Sequence, residues 1–248
     1  FRTEEFSEVM LENERLMKKF TYAGADSRVI FLTGSGTASM EASIINLFTK
    51  DDSLIIINGG SFGQRFANIC LTHGIPHTEI KLEPGHTLKE EELYLYDKKD
   101  YTGLLVNYDE TSTGVLYDVN MIGQFCKKNH LIYVVDAVSA FLCDTFSMKE
   151  SFCDLMITGS QKALACPPGI SIMVLSKKAI DIINRVKAPS FYFNLKSALE
   201  NGERGQTPFT PAVGILLQIS ERLKEIDEAG GVESEIKRIH ALADDFRS

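Results

Sequence analysis

Two residues of this sequence have types and surroundings suited to chemistry on a small molecule. Lys162 follows a short apolar run and lies among small and polar residues. A lysine partly removed from water can attack a carbonyl group. Asp136 ends the most apolar run, at 131–136, where a carboxylate is costly unless it is paired. Each has a simpler alternative, because Lys162 also fits a solvated loop and Asp136 fits a helix N-cap or a buried salt bridge.

A glycine-rich turn is the third segment that could take part in binding or catalysis. The sequence at 33–37 is TGSGT, and a predicted helix begins near Thr37. Glycines let the backbone approach a ligand closely, and the free N–H groups of a helix N-terminus favour a phosphate. A turn without any ligand remains an equal alternative on spacing alone. A dinucleotide-binding fingerprint is disfavoured because Ser39 replaces its third glycine, and no GxxxxGK[ST] motif occurs.

The elements around these segments alternate between strands and helices. Apolar runs predict strands that are apolar on both faces, and the amphipathic stretches between several of them predict helices. This pattern predicts an α/β fold with a mostly parallel sheet that helices cover on both faces. Ligands bind at the carboxyl ends of the strands in such sheets. The predicted strands are 29–33, 54–58, 78–82, 103–108, 131–136, 155–159 and 171–176, and the predicted helices are 36–48, 61–73, 118–129 and 177–186.

The chain divides into two regions by pattern. Residues 1–212 are expected to form a large α/β domain that includes an N-terminal helix at 3–20. After Pro211 the apolar residues follow a long helical stripe, which the glycines at 230–231 can end. Residues 213–248 are therefore expected to be a connecting helix and the start of a small, incomplete C-terminal domain.

The composition argues against nucleic-acid binding and against a membrane-spanning protein. The net charge is −8, and phosphate-rich partners need clustered Lys and Arg, so no nucleic-acid partner is expected. No apolar run reaches the ~20 residues of a membrane span, and no signal peptide begins the sequence. The five cysteines are odd in number and form no CxxC motif, which favours reduced thiols in a cytoplasmic protein.

No metal site is expected. His73 and His77 are four residues apart, but Gly74 and Pro76 between them prevent a helical pair of ligands. Both histidines are interpreted as surface loop residues.

Taken together and in order, the three segments are more specific than any of them alone. GSGT at 34–37, a strand-ending Asp136, and SQK at 160–162 followed by PPG at 167–169 resemble the class V aminotransferases of fold type I, in particular the alanine–glyoxylate and serine–pyruvate group. The likeness covers nearly the whole chain. The resemblance implies a pyridoxal 5′-phosphate (PLP) cofactor, a homodimer, and ping-pong transfer of an amino group from a small amino acid to a 2-keto acid of the pyruvate or glyoxylate class.

The resemblance also implies a role for each candidate residue. Lys162 would bind PLP as a Schiff base and then carry the proton, while Asp136 would pair with the ring nitrogen and keep it protonated. Val138 and Phe62 would pack on the two faces of the ring, with Phe62 where the family often has Trp. The remaining ligands would be Ser35, Gly36, Thr37 and Gln161 for the phosphate and Thr111 for the 3′-oxygen of the ring.

Another segment resembles the loop with which family members reach the neighbouring subunit. It has the sequence TPFTP at 207–211. By this likeness Thr210 and Thr207 would complete the phosphate site across a dimer interface, although the family often has Tyr where Thr207 stands. The alternative is that both threonines cap the helix after Pro211.

Several rival functions stay open. A 2-aminoethylphosphonate–pyruvate aminotransferase would share GSGT and the strand-ending aspartate. A cysteine desulfurase would have histidines where Gln161 and Phe62 stand, and it would need a reactive cysteine. A nucleotide-binding module without catalysis is a third alternative, supported by the glycine-rich turn alone. The arginine that clamps the substrate carboxylate in the family is expected to lie outside this chain.

Overall fold

A computed structural model describes residues 1–248, and strands and helices alternate along most of the chain. The helices are α1 (Glu4–Phe20), α2 (Gly36–Leu47), α3 (Ser61–His73), α4 (Glu90–Tyr94), α5 (Val119–Lys128), α6 (Lys177–Ile183), α7 (Leu195–Gly202), α8 (Val213–Glu228) and α9 (Gly231–Arg247). The strands are β1 (Arg28–Thr33), β2 (Leu54–Asn58), β3 (His77–Lys81), β4 (Gly103–Asn107), β5 (Asp109–Glu110), β6 (Val115–Leu116), β7 (Ile132–Asp136), β8 (Leu155–Gly159) and β9 (Ile170–Leu175).

Seven strands form one sheet in the order β1-β9-β8-β7-β4-β2-β3, while β5 and β6 form a separate small hairpin. The pairs from β8 to β3 are all parallel, whereas β9 runs antiparallel to both of its neighbours. The predicted α/β fold with a mostly parallel sheet is therefore confirmed. The carboxyl ends of β4, β7 and β8 meet at one edge of this sheet, as the register of Asn107 beside Asp136 and of Asp136 beside Ile157 requires.

Both faces of the sheet are buried under helices, which explains the apolar character of the strands. In β2 the side chains of Ile55 and Ile57 join a core cluster with residues of α1, α5 and α8. Leu54 and Ile56 point the other way and join a second cluster with residues of α2, α3, α6 and α7. Successive side chains of a strand point to opposite faces. In a strand covered on both sides, every side chain is therefore buried and most are apolar.

The predicted strand boundaries agree with the observed ones to within one residue at each end.

The prediction that His73 and His77 lie in surface loops was wrong. Gly74 ends α3 in a left-handed conformation, so His73 is the last helical residue and its Nε2 lies 2.8 Å from an Oε1 of Glu41, while His77 opens β3. No group of three or more metal-binding side chains occurs in the structure.

The C-terminal helices pack on the large domain rather than standing apart from it. Helix α8 lies against α1, and its buried residues Leu216, Ile219 and Leu223 belong to the same core cluster as Phe6 and Met10 of α1. The division of the chain at residues 212 and 213 stays a prediction. None of the nine helices combines the length and the apolar character needed to cross a membrane.

Gly123 tests how closely α5 packs on the loop before β8. A Cβ atom at Gly123 would lie 1.8 Å from the carbonyl oxygen of Ser151, so Gly123→Ala forces the helix and the loop apart. We expect it to lower the free energy of unfolding by about 1–3 kcal/mol or more in urea titrations. The control is Gly214→Ala in α8, where no atom lies within 4 Å of the added carbon. The control should change stability by less than about 1 kcal/mol, in the stabilising direction. Equal stability of the two variants would contradict the observed packing.

Candidate active site

One cavity lies at the edge of the sheet where β7 and β8 end, between the N-terminal ends of α2 and α3. Its walls contain nine of the eleven residues that the sequence singled out as catalytic or cofactor-binding. They are Ser35, Gly36, Thr37, Phe62, Thr111, Asp136, Val138, Gln161 and Lys162. Four further residues line the same cavity, namely Met40, Arg65, Asp109 and Ser139.

The N-terminus of α2 presents backbone N–H groups without a side-chain cap. Ser35 occupies the N-cap position, but its hydroxyl accepts no hydrogen bond from the first turn, which also contains no acidic residue. A Cβ atom at Gly36 would come within 3.1 Å of a methyl group of Val138, so glycine permits the close approach of this turn to the segment after β7. Free N–H groups and the helix dipole together make this end of the cavity suitable for an anion.

Asp136 provides the opposite electrostatic character at the end of β7. The residue is buried, and one of its carboxylate oxygens accepts a hydrogen bond of 3.0 Å from the backbone N–H of Val138. Burial raises the pKa of Asp136 to about 6, and the charge of Glu110 adds to this rise. The Val138 hydrogen bond and the positive charges of Arg65 and Lys162 act in the other direction. The carboxylate forms no salt bridge, so a cationic ligand group beside it would relieve the cost of its burial.

Lys162 lies on the turn that follows β8, and its side chain is exposed toward the cavity. The turn itself is held firmly by Ser160, which is fully buried and whose hydroxyl donates a 2.7 Å hydrogen bond to the carbonyl of Pro167. The backbone N–H of Ala165 donates to the carbonyl of Lys162, with Ala165 at a φ of +52°. An exposed amine that lines the cavity is thus carried on a backbone held by hydrogen bonds.

Glu110 holds the part of the cavity wall that contains Phe62, without lining the cavity itself. This residue is fully buried, and its carboxylate accepts hydrogen bonds from the backbone N–H groups of Phe62 and Gly63 and from the side chains of Asn107 and Ser112. Burial raises the pKa of Glu110, but these hydrogen bonds outweigh it and the pKa lies below its usual range. Glu110 therefore caps α3 as an anion and fixes the backbone of Phe62.

The residues that sequence reasoning missed adjoin residues that it found. Ser139 follows Val138, and its hydroxyl lies 2.7 Å from that of Thr111 across the cavity wall. Asp109 lies in the β5–β6 hairpin, two residues before Thr111, and Arg65 lies one helical turn after Phe62. Helical spacing alone could have indicated Arg65, since residues three apart share a helix face. Nothing in the sequence indicated the Ser139 contact, which joins segments 28 residues apart.

Two predicted ligands lie away from the cavity. Thr207 is buried, and its hydroxyl donates a 2.7 Å hydrogen bond to the carbonyl of Phe209. Thr210 is exposed beside Tyr192 and Pro211, next to the segment that leads into α8. Within one copy of the chain, neither threonine contributes to the site. Their expected contribution to a neighbouring subunit stays a prediction.

A model of the aminotransferase class V family matches residues 2–245. The chain belongs to that family. An uncharacterized aminotransferase of Methanocaldococcus jannaschii is 33% identical over 98% of this chain and 63% of its own length. The L-aspartate–glyoxylate aminotransferase of Paracoccus denitrificans is 28% identical over 96% of the chain and 60% of its own length.

Solved structures agree with this assignment. The crystal structure of an aspartate aminotransferase of subgroup IV from Thermus thermophilus has a TM-score of 0.87 and 31% identity, over 95% of this chain and 66% of that one. The chain thus spans about 60–66% of the length of these relatives.

Family membership indicates PLP as the cofactor, and the cavity fits that molecule. PLP has an anionic phosphate at one end and a ring nitrogen that can be cationic at the other. The uncapped N-terminus of α2 suits the phosphate, and the buried, unpaired Asp136 suits the ring nitrogen. Lys162 lines the same cavity. The residues present therefore suit the charges at the two ends of the cofactor.

The pKa of Asp136 predicts how the stability of the cofactor-free protein changes with pH. Its folded pKa of about 6 lies above the unfolded value of 3.8, so the folded state binds the proton more tightly. The free energy of unfolding should therefore fall as the pH rises from about 4 to about 6, by about 3 kcal/mol at ~1.4 kcal/mol per pKa unit, and then stay level. Asp136→Asn should lose this dependence and be more stable than the wild type at pH 7. The measurement is urea unfolding across this pH range, with the exposed Asp245→Asn as control. A wild type and an Asp136→Asn variant with the same pH profile would contradict the assignment.

Proposed function

We propose that this chain carries the PLP site of an aminotransferase, which moves an amino group from a small amino acid to a 2-keto acid of the pyruvate or glyoxylate class. The observation that carries the proposal is the meeting of Lys162, Asp136 and the uncapped N-terminus of α2 in one cavity. No single one of these features distinguishes a PLP site from other ligand sites. Their combination supports a ligand with a cationic ring, a carbonyl group and a phosphate.

Asp136 and Lys162 take the two chemical roles in this proposal. When bound, PLP supplies a ring that accepts the electron pair left on the substrate carbon after proton removal. Asp136 keeps the ring nitrogen protonated by lying beside it as a carboxylate. Lys162 would hold the cofactor covalently at rest and, once free, would take the proton from the substrate Cα and deliver it to C4′ of the cofactor. An exposed side chain on a fixed turn suits a group that has to move between these two positions.

The other cavity residues orient the cofactor. Phe62 and Val138 are proposed to pack on opposite faces of its ring, and Thr111, already paired with Ser139, to hydrogen-bond the 3′-oxygen. The N-terminal turn of α2 and one glutamine are proposed to bind the phosphate. These phosphate ligands are Ser35, Gly36, Thr37 and Gln161.

The substrate class rests on the relatives. Two of them are named for aspartate, one as an aspartate aminotransferase and one as an L-aspartate–glyoxylate aminotransferase. These names support aspartate as a donor and glyoxylate as an acceptor, while alanine, serine and pyruvate rest on the resemblance of the sequence motifs.

The enzyme is further proposed to be a homodimer. Thr210 of one subunit would then approach the phosphate bound in the other, because Thr210 is exposed and lies away from the cavity of its own chain. Thr207 is a weaker candidate, since its hydroxyl already donates to a carbonyl of its own loop.

The cysteines do not support a desulfurase. That chemistry needs a thiolate that can reach the substrate, and no cysteine lines the cavity. Cys70, Cys126, Cys153 and Cys166 are buried, and burial raises the pKa of Cys70 to about 12. Cys143 is half-buried, and burial also raises the pKa of its thiol. A raised pKa favours the protonated thiol at neutral pH, which is the less nucleophilic form.

The attachment of the cofactor to Lys162 is tested in the full-length protein by its visible absorption spectrum. We expect a yellow protein whose band disappears on treatment with borohydride, which fixes the cofactor to the peptide that contains Lys162. Lys162→Ala should lack this band and this labelled peptide, while the exposed Lys187→Ala should keep both. A wild-type protein that stays colourless with added PLP would refute the proposed function.

The two-stage transfer is tested by initial rates. Since the amino group rests on the enzyme between the two substrates, plots against donor at several acceptor concentrations should give parallel lines. Alanine, serine, aspartate and 2-aminoethylphosphonate are the donors to compare, with glyoxylate and pyruvate as acceptors. Intersecting lines would rule out ping-pong transfer, and activity with the phosphonate alone would favour the rival assignment.

A further inference from the structure

Arg65 makes two contacts that join separate walls of the cavity. It lies on α3, half-buried and one helical turn after Phe62, and its guanidinium carbon lies 4.5 Å from the centroid of the Phe62 ring. One guanidinium nitrogen donates a 2.9 Å hydrogen bond to the hydroxyl of Thr37, in the first turn of α2. A single side chain therefore contacts both the ring-packing wall and the anion-binding wall.

The charge of Arg65 is not neutralised within the chain. Its partners are a hydroxyl group and an aromatic face, and the guanidinium forms no ion pair with a carboxylate. A half-buried cation with only neutral contacts favours an anion in the space that it faces. Its positive charge also lowers the pKa of Asp136 against the effect of burial. The cation thus acts on both ends of the cavity.

We propose that Arg65 is a positioning residue of the cofactor site, which holds the Phe62 ring and the Thr37 hydroxyl in the arrangement that the cofactor ring and phosphate require. This inference rests on the proposed function. Arg65 acts through Phe62 and Thr37 and takes no part in moving protons.

Arginine is suited to this task in a way that lysine is not. The guanidinium group is planar, so it stacks on an aromatic face and donates in its own plane at the same time. The ammonium group of lysine can make either contact but lacks the fork that makes both together. Lysine at position 65 should keep the charge and lose the joint fixing of the two walls.

The test compares Arg65→Met, Arg65→Lys and wild type as full-length proteins, with the exposed Arg185→Met as control. The dissociation constants of PLP and of pyridoxal, which lacks the phosphate, are measured by titration, together with the circular dichroism of the bound cofactor and the thermal midpoint. Arg65→Met should bind PLP about tenfold more weakly, as loss of one hydrogen bond and one cation–π contact predicts. The loss should be smaller for pyridoxal, because Thr37 serves the phosphate.

The circular dichroism of the cofactor reports its orientation, which a purely structural role of Arg65 would not change. We expect Arg65→Met to alter this signal, Arg65→Lys to recover part of the PLP affinity without recovering the signal, and Arg185→Met to match the wild type. Wild-type affinity and dichroism in Arg65→Met would overturn the inference. So would a lower thermal midpoint with unchanged affinity and dichroism.

The same proteins also cover two other results, a variant that does not fold and a wild type that does not bind the cofactor. If Arg65→Met does not fold, Arg65→Lys decides the question, since unchanged dichroism in that variant would also overturn the inference. A wild type that binds neither PLP nor pyridoxal would contradict the proposed function itself, which separates that failure from a failure of the role of Arg65.

Discussion

The carboxylate of Asp136, buried at the end of a strand that is covered on both faces, is the constraint on which the site depends. One backbone N–H is too little to offset its burial, as its raised pKa shows. Asp136 thus favours a positively charged ligand group. The uncapped N-terminus of α2 favours a negatively charged one. A ligand that is cationic at one end and anionic at the other satisfies both requirements, which describes PLP, whereas a simple anion such as free phosphate satisfies only the second.

In a second buried carboxylate, that of Glu110, hydrogen bonds offset the cost of burying the charge. Glu110 is also buried, yet hydrogen bonds from α3, Asn107 and Ser112 keep its pKa below the usual range. The contrast between these two acids follows from their partners, because Glu110 fixes protein groups and Asp136 faces the cavity. Glu110 is thereby a fixed part of the scaffold, and Asp136 remains available to a ligand.

The sequence was sufficient to predict the large elements and the residues that end them. Strands buried on both faces are continuous apolar runs, so their ends, including Asp136, stand out within one residue. Helices α4 and α7 and the hairpin of β5 and β6 were missed, since each of these elements is short. The histidines were misplaced because the chain turns at Gly74 within a few residues and leaves His73 in a helix and His77 in a strand. Arg65 was not singled out, although its spacing from Phe62 places both on one face of α3, and its contact with Thr37 joins residues 28 positions apart.

The two proposed chemical groups differ in how firmly the fold holds them, and the difference agrees with their roles. Asp136 has to keep one position beside the ring throughout the reaction, and strand pairing on both sides together with burial fixes it there. In the proposed mechanism Lys162 would leave the cofactor and carry a proton from one carbon atom to another, so its side chain would need freedom while its backbone would not. The buried Ser160 supplies the fixed backbone, and exposure of the Lys162 side chain supplies the freedom. A side chain on the turn after β8 has this freedom, whereas every residue within β8 is buried.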